Sequence, residues 1–105
     1  MYSVELSPAA ERAIKDIGAY LDSFSDPSDI EKVEDRIATT IEGLSIMPTR
    51  HRRYLPPLAT DPNLRCAPAG KYVAYFSVDE DAEAVTVLDV QHRHRHPAAV
   101  RRRLR

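Results

Sequence analysis

Apolar and polar positions alternate at the start of the chain, where Tyr2, Val4 and Leu6 are separated by Ser3 and Glu5. A period of two predicts a short strand with one buried face. Ser7-Pro8 then supplies a side chain able to cap a helix and a proline suited to its first position, so a helix is predicted from Pro8. From there the period changes. Ala10, Ala13, Ile14, Ile17, Leu21 and Phe24 recur every three or four residues, while Glu11, Arg12, Lys15 and Asp16 fall largely on the other side. Ser25-Asp26-Pro27 repeats the cap and proline, and Ile30, Val33, Ile37, Ile41 and Leu44 keep the helical period until Pro48 ends it. Two antiparallel helices joined by a short turn are expected.

The second half is patterned differently. Residues 48–63, PTRHRRYLPPLATDPN, contain four prolines and the cluster Arg50, His51, Arg52 and Arg53, too interrupted for a helix and too proline-rich for a central strand. A long basic loop is the expectation. Leu64 to Ala67 then reads as a strand, Ala69-Gly70 as a turn, and Lys71 to Val78 as a second strand rich in Tyr, Val and Phe. After a turn over Asp79 to Glu83, Ala84 to Gln91 is apolar on both faces, which predicts a central position in the sheet. The fold class expected is α+β: an N-terminal strand, a two-helix antiparallel hairpin and a three-stranded antiparallel sheet. One domain over 1–105 divides into strand and hairpin (1–46), basic loop (48–63), strands (64–92) and a basic tail (93–105). Ala98 to Arg105 suits either a last helical turn or an irregular arginine-rich end.

Charge sharpens the division. Residues 1–46 carry four Lys/Arg against ten Asp/Glu, whereas residues 47–105 carry eleven against six. The halves cancel to a net charge of -1, so the molecule has no global field to draw it onto a polyanion, and any such binding is local to the basic half. Most of the acidic charge has an ordinary explanation at helix N-termini, where Asp26 and Asp29 oppose the dipole. A single cysteine, Cys66, excludes an intrachain disulfide and a thiolate metal cluster and is compatible with a cytoplasmic setting. No run approaches the roughly 20 apolar residues needed to cross a bilayer, so no membrane partner is expected.

Several segments in this order carry a resemblance. Ser7-Pro8-Ala9-Ala10 opens the first helix, Leu44-Ser45-Ile46-Met47-Pro48 closes the second, Leu64-Arg65 begins the next strand, Tyr72-Val73-Ala74-Tyr75-Phe76 fills the hairpin, and Val87 to Arg95 runs into the tail. Together they resemble the RelE/ParE superfamily of toxins from type II toxin–antitoxin pairs, over nearly the whole chain. Val90-Gln91-His92-Arg93-His94-Arg95 is most similar to the ParE branch. The resemblance implies inhibition of DNA gyrase by protein–protein contact, held in check by a cognate antitoxin in a hetero-oligomer. The alternative it implies is a RelE-like enzyme that cuts mRNA on the ribosome.

The two readings ask different things of the residues. Attack by a 2′-hydroxyl needs a base, cationic stabilisation of the phosphorane-like charge and an acid for the leaving oxygen. Arg65, His92 and Arg93 are the candidates for a metal-independent ribonuclease, with Tyr72 or Tyr75 as stacking surfaces or weak acids. Each also has a plain role, as a surface ion-pair partner, a structural histidine or a packed strand tyrosine. Nucleases of this superfamily typically carry a dense lysine set, and Lys71 is the only lysine after residue 32 here. Arginine replaces lysine as a charge but not as a proton carrier, which favours a toxin that binds without cleaving. Arg50, Arg52, Arg53, Arg65, Tyr72, Tyr75, His92, Arg93 and Arg95 are then the candidates for contact with target or antitoxin. His92, His94 and His96 share a face of an extended chain, but strand spacing brackets an ion poorly, and neither a metal nor a cofactor is expected. Ser7 is assigned to a helix cap and not to nucleophilic chemistry.

Overall fold

The computed structural model describes residues 1–23, 25–53 and 63–94. A strand β1 (Ser3–Leu6) leads into helices α1 (Pro8–Asp22) and α2 (Pro27–Gly43), followed by one 3-10 turn (Pro48–Arg50) and strands β2 (Leu64–Ala69), β3 (Tyr72–Asp79) and β4 (Ala84–His92). Helix α1 starts directly after Ser7, which is itself extended, and the Ser7 hydroxyl oxygen accepts from the Ala10 N–H at 3.1 Å. The same hydroxyl donates to the Leu88 carbonyl at 3.2 Å, so the cap also stitches the helix to β4. Asp26 occupies the corresponding position before α2, but its side chain makes no capping hydrogen bond there.

The sheet has four strands in the order β1-β4-β3-β2, and β1 runs parallel to β4. The expected three-stranded antiparallel sheet is present as β2, β3 and β4, and the expected N-terminal strand joins it as a fourth. The reason is the apolar side of β1: Tyr2, Val4 and Leu6 pack against the core beneath the helices, and the edge of β4 is open to receive them. β4 therefore lies between β1 and β3, the central place its two apolar faces predict. Between Tyr75 and Phe76 the β3–β4 register slips, pairing Tyr75 with Asp89 but Phe76 with Val87 and leaving Leu88 as the extra residue of a bulge. That bulge frees the Leu88 carbonyl for Ser7.

Both helices cover one face. Ala10 and Ala13 of α1 and Ile37 of α2 are buried with Ala67, Ala69, Tyr72, Ala74, Phe76, Val78, Val85, Val87 and Val90, and Phe76 is fully enclosed. Small alanines at Ala10, Ala67 and Ala74 let backbone approach backbone, and the large residues fill the space between. Ile14 of α1 shares a groove with Ile37 and Ile41, and Gly18 lies 3.8 Å from Glu34, so the helices run antiparallel as expected. The other face carries a separate cluster of Cys66, Val73 and Tyr75, beside a buried Asp89 and Gln91.

The described part of the predicted long loop, residues 48–53 and 63, has defined structure. Met47 adopts a left-handed conformation (φ 47°), which turns the chain into the 3-10 turn. Arg53 then pairs with Arg65 as an isolated antiparallel bridge, and the Cys66 N–H donates to the Arg52 carbonyl at 3.1 Å. Residues 48–53 therefore extend the sheet past β2. The remainder of the loop (54–62), Phe24, Arg95, His96 and the tail expected over 97–105 lie outside the described residues. Among the described residues no helix is long and apolar enough to cross a membrane.

Candidate functional site

Two basic clusters stand at opposite ends of β3. The first surrounds Arg65, whose side chain shares the helix-covered face with its β3 partner Phe76 at the outer edge of β2. Its Nη1 donates to the Thr49 carbonyl at 3.1 Å and to the His51 carbonyl at 2.8 Å, and its buried Nε finds no acceptor among the described residues. Through Nη1 the guanidinium therefore holds the 48–53 backbone. His51 lies edge-on to Phe76 with ring centroids 5.8 Å apart, closing the same corner. Burial, then the charges of Arg50 and Arg65, hold the His51 imidazole below its ordinary pKa and favour its neutral form. Arg50, Arg52 and Arg53 project from this corner, all exposed.

The second cluster closes the other end. β2 and β3 are joined through Gly70 and Lys71, with Gly70 at φ 66° and Lys71 outside the positive-φ region, the pattern of a type II′ turn. Tyr72 pairs with His92 across β3 and β4, and their rings meet edge to face at 5.4 Å. Pairing continues past the strand ends, because the Arg93 N–H donates to the Lys71 carbonyl at 2.9 Å. His92 Nδ1 accepts from the His94 N–H at 3.2 Å, and His94 Nε2 accepts from Arg93 Nε at 3.3 Å. Burial, followed by His94, Arg93 and Lys71, holds His92 below its ordinary pKa. Burial, then Tyr20, holds the Tyr72 phenol above its own.

The candidates thus divide into groups. Arg65 gathers with Arg50, Arg52 and Arg53, whereas His92, Arg93 and Tyr72 gather at the far end. Arg65 and His92 are separated by about 13 Å along the strands and about 10 Å across them, from four residues of rise and two strand spacings. Tyr72 and Tyr75 lie on opposite faces, Tyr72 under the helices and Tyr75 with Cys66 and Val73. Among the described residues no group of three His, Cys, Asp or Glu is placed to hold a metal. The one ion pair among them joins the N-terminal amine to Glu83 at 3.8 Å, so the cations of both clusters have no carboxylate partner there.

Sequence reasoning passed over Asp89 and its neighbour. Asp89 is 1% exposed, its Oδ1 accepts from the Val90 N–H at 2.8 Å, and its Oδ2 accepts from Gln91 Nε2 at 2.7 Å. The signal was available, since an aspartate inside the apolar run Val85 to Val90 requires a buried partner. Lys32 and Arg36 were also passed over. They sit on the α2 face that looks across a groove of about 740 Å³ to Lys71, Tyr72 and His92.

This arrangement has relatives. The family model described as the ParE toxin of type II toxin–antitoxin systems matches residues 4–97, most of the chain and, apart from Ser3, all of its described strands and helices. The chain belongs to the ParE toxin family. Solved structures share the fold of this ParE-family chain at low identity. The chromosomal ParDE system from P. aeruginosa superposes with a TM-score of 0.70 at 15% identity, covering 88% of this chain and 96% of that one. The RelBE2 toxin–antitoxin complex from Mycobacterium tuberculosis gives 0.62 at 22%, covering 88% and 98%. The archaeal RelE–RelB complex from Pyrococcus horikoshii OT3 gives 0.60 at 16%, covering 90% and 98%. A search of curated protein sequences finds no match. ParE and RelE toxins thus share one backbone, and the fold does not by itself choose between their targets.

Proposed function

We propose that this ParE-family toxin inhibits DNA gyrase by protein contact and is neutralised by a cognate antitoxin in a cytoplasmic hetero-oligomer. The observation that carries the contact reading is the separation of Arg65 from His92 and Arg93. A ribonuclease built on these three would need them around one phosphate, within hydrogen-bond reach of its oxygens and of the attacking hydroxyl. Arg65 instead donates to two backbone carbonyls at the far end of the sheet. Without that cation the remaining His92 and Arg93 offer one proton carrier and one charge, short of the three roles that strand cleavage requires. The exposed Arg50, Arg52 and Arg53 suit recognition of an acidic protein surface, where charge complementarity speeds encounter and fixes register.

The antitoxin partner is carried over from the toxin–antitoxin complexes among the structural relatives. An antitoxin segment that folds on binding would place apolar anchors in the groove between α1 and α2, lined by Ile14, Ile37 and Ile41, and acidic side chains against the basic edge. The decisive experiment incubates the full chain with purified gyrase and supercoiled plasmid, and in parallel with translating ribosomes. Accumulation of cleaved DNA held by gyrase, reversed by the antitoxin, is expected. Codon-positioned cuts in ribosome-bound message with gyrase unaffected would overturn the assignment.

A further inference from the structure

Both helices pack on one face of the sheet, yet the opposite face is buried as well. Cys66, Tyr75 and Asp89 form a row across β2, β3 and β4 there, with Gln91 two residues along β4. Their exposures are 4%, 7%, 1% and 2%. An antiparallel sheet with helices on one face commonly shows the other to water, and side chains in a single layer shade one another's flanks but not the outer side of a tyrosine ring. The 3-10 turn is held by Arg65 on the helix-covered side, so no described element lies over this row. The cover comes from residues 54–62 or 95–105 of the chain itself.

Asp89 chooses between them. Its Oδ1 accepts from the Val90 N–H and its Oδ2 from Gln91 Nε2, and it makes a further interaction besides these two. Each carboxylate oxygen takes two hydrogen bonds, so one place remains on each, side by side, the spacing that a guanidinium fork fills. Withdrawing a carboxylate from water is costly unless a cation accompanies it. The described cations bordering this face, Arg52, Lys71 and Arg93, stand about 13–14 Å from Asp89, from four residues of rise or three strand spacings. Residues 54–62 carry no cation and one aspartate, Asp61, whereas residues 95–105 carry five arginines with Val100 and Leu104 among them.

The route is short enough. The chain already turns at Arg93 and His94 as it leaves β4, where the His94 N–H donates to His92 Nδ1. Seven residues separate His94 from Arg101 and span up to about 23 Å, against about 17 Å from His94 back to Asp89. We propose that the C-terminal segment straps the helix-free face of the sheet, with an arginine among Arg101 to Arg103 paired to the Asp89 carboxylate and Val100 or Leu104 laid against Tyr75. While the strap is seated, the row from Cys66 to Asp89 is closed to any partner, and contact falls to the exposed corner of Arg50, Arg52 and Arg53.

The strap does not depend on the target, so its test uses the full chain and no gyrase. In nuclear Overhauser spectra the Tyr75 ring is expected to contact the methyl groups of Val100 or Leu104. Contacts to Leu55 or Leu58 alone would put the other segment over the row and overturn the proposal. Arg101→Gln, Arg102→Gln and Arg103→Gln combined are expected to speed exchange of the Val90 amide, which Asp89 holds, about tenfold. In an Asp89→Asn background, which keeps an acceptor for Val90, the same three changes should alter that rate less than about twofold. No acceleration, or equal acceleration in both backgrounds, would overturn the ion pair. Should Asp89→Asn fail to fold, the Tyr75 contacts and the response of Val90 to the three arginine substitutions decide alone. Contacts that disappear on dilution would mean that a second copy supplies the segment, which equally overturns the proposal.

Discussion

The two ends of β3 use the same chemistry for opposite purposes. Near Phe76, the guanidinium of Arg65 is turned inward onto the carbonyls of Thr49 and His51, where it replaces the strand pairing that an irregular segment cannot supply. Near Tyr72, Lys32, Arg36 and Lys71 face a groove and reach no carboxylate among the described residues. A basic residue in sequence therefore says little about function until its acceptors are known. Backbone carbonyls make a splint, whereas a groove leaves the cations facing outward. The splint has its own consequence, since it fixes the segment from which Arg50, Arg52 and Arg53 project.

The largest effect expected from breaking this contrast is at Arg65. Arg65→Met keeps much of the stem and removes both hydrogen bonds to carbonyls. Bonds from charged donors contribute about 1.5–3 kcal/mol, and partial exposure together with relief of the unpaired Nε offsets part of this, so a loss of about 2 kcal/mol is expected in chemical denaturation. Hydrogen exchange localises it: the Cys66 amide, which donates to Arg52, loses protection, while the amides in the β3–β4 ladder keep theirs. The His92 resonances stay unchanged. An Arg65→Met variant with unaltered stability would mean that the guanidinium is available for contact and the two ends are alike.

The opposite end is probed at the turn. Gly70 has a φ of 66°, and a methyl group there is both in a disfavoured backbone region and pressed toward Arg36. Gly70→Ala is expected to cost about 1–2 kcal/mol and to disturb Lys71, Tyr72 and Arg36 while leaving the Cys66 amide protected. The two substitutions are far apart and share no partner, so their effects should add within about 0.5 kcal/mol in the double variant. A larger departure from additivity would show that β3 couples its ends.

How far these features were legible depends on whether their cause is local. The helices were readable from Ser7-Pro8 and the spacing of Ile30, Val33, Ile37 and Ile41, because caps and periodicity act within a few residues. The central place of β4 was readable from Val85 to Val90. Where β1 would pair was not, since its partner lies some eighty positions away and the choice depends on which sheet edge the helices leave open. The grouping of Tyr72 with Tyr75 followed their shared hairpin, although residues three apart on a strand face opposite ways and parity alone could have separated them. The acceptors of Arg65 were beyond reach, because nothing in the letters 49–51 says that their carbonyls will be turned toward β2.

The smallest effect expected comes from pH and is read at the splint. His51 has its pKa lowered in the folded state by burial and by Arg50 and Arg65, so the unfolded chain takes up a proton first as pH falls. Its contribution is absent at pH well above the ordinary histidine value of about 6.5, where both states are neutral. As pH drops through that value toward the lower folded pKa, stability declines, and below both it levels off. The physical event is a third positive charge arriving beside Arg50 and Arg65, against the edge of Phe76. Between pH 7.5 and 5 the Cys66 amide should therefore exchange faster, and the change should be smaller in His51→Gln, which keeps a polar side chain but does not titrate. His92 also titrates with a lowered pKa, but its neighbours belong to the other end, so its protonation should leave Cys66 exchange unaffected. If the pH dependence persists in full after His51→Gln, the charge that loosens the edge resides elsewhere and the splint is not pH-sensitive through this histidine.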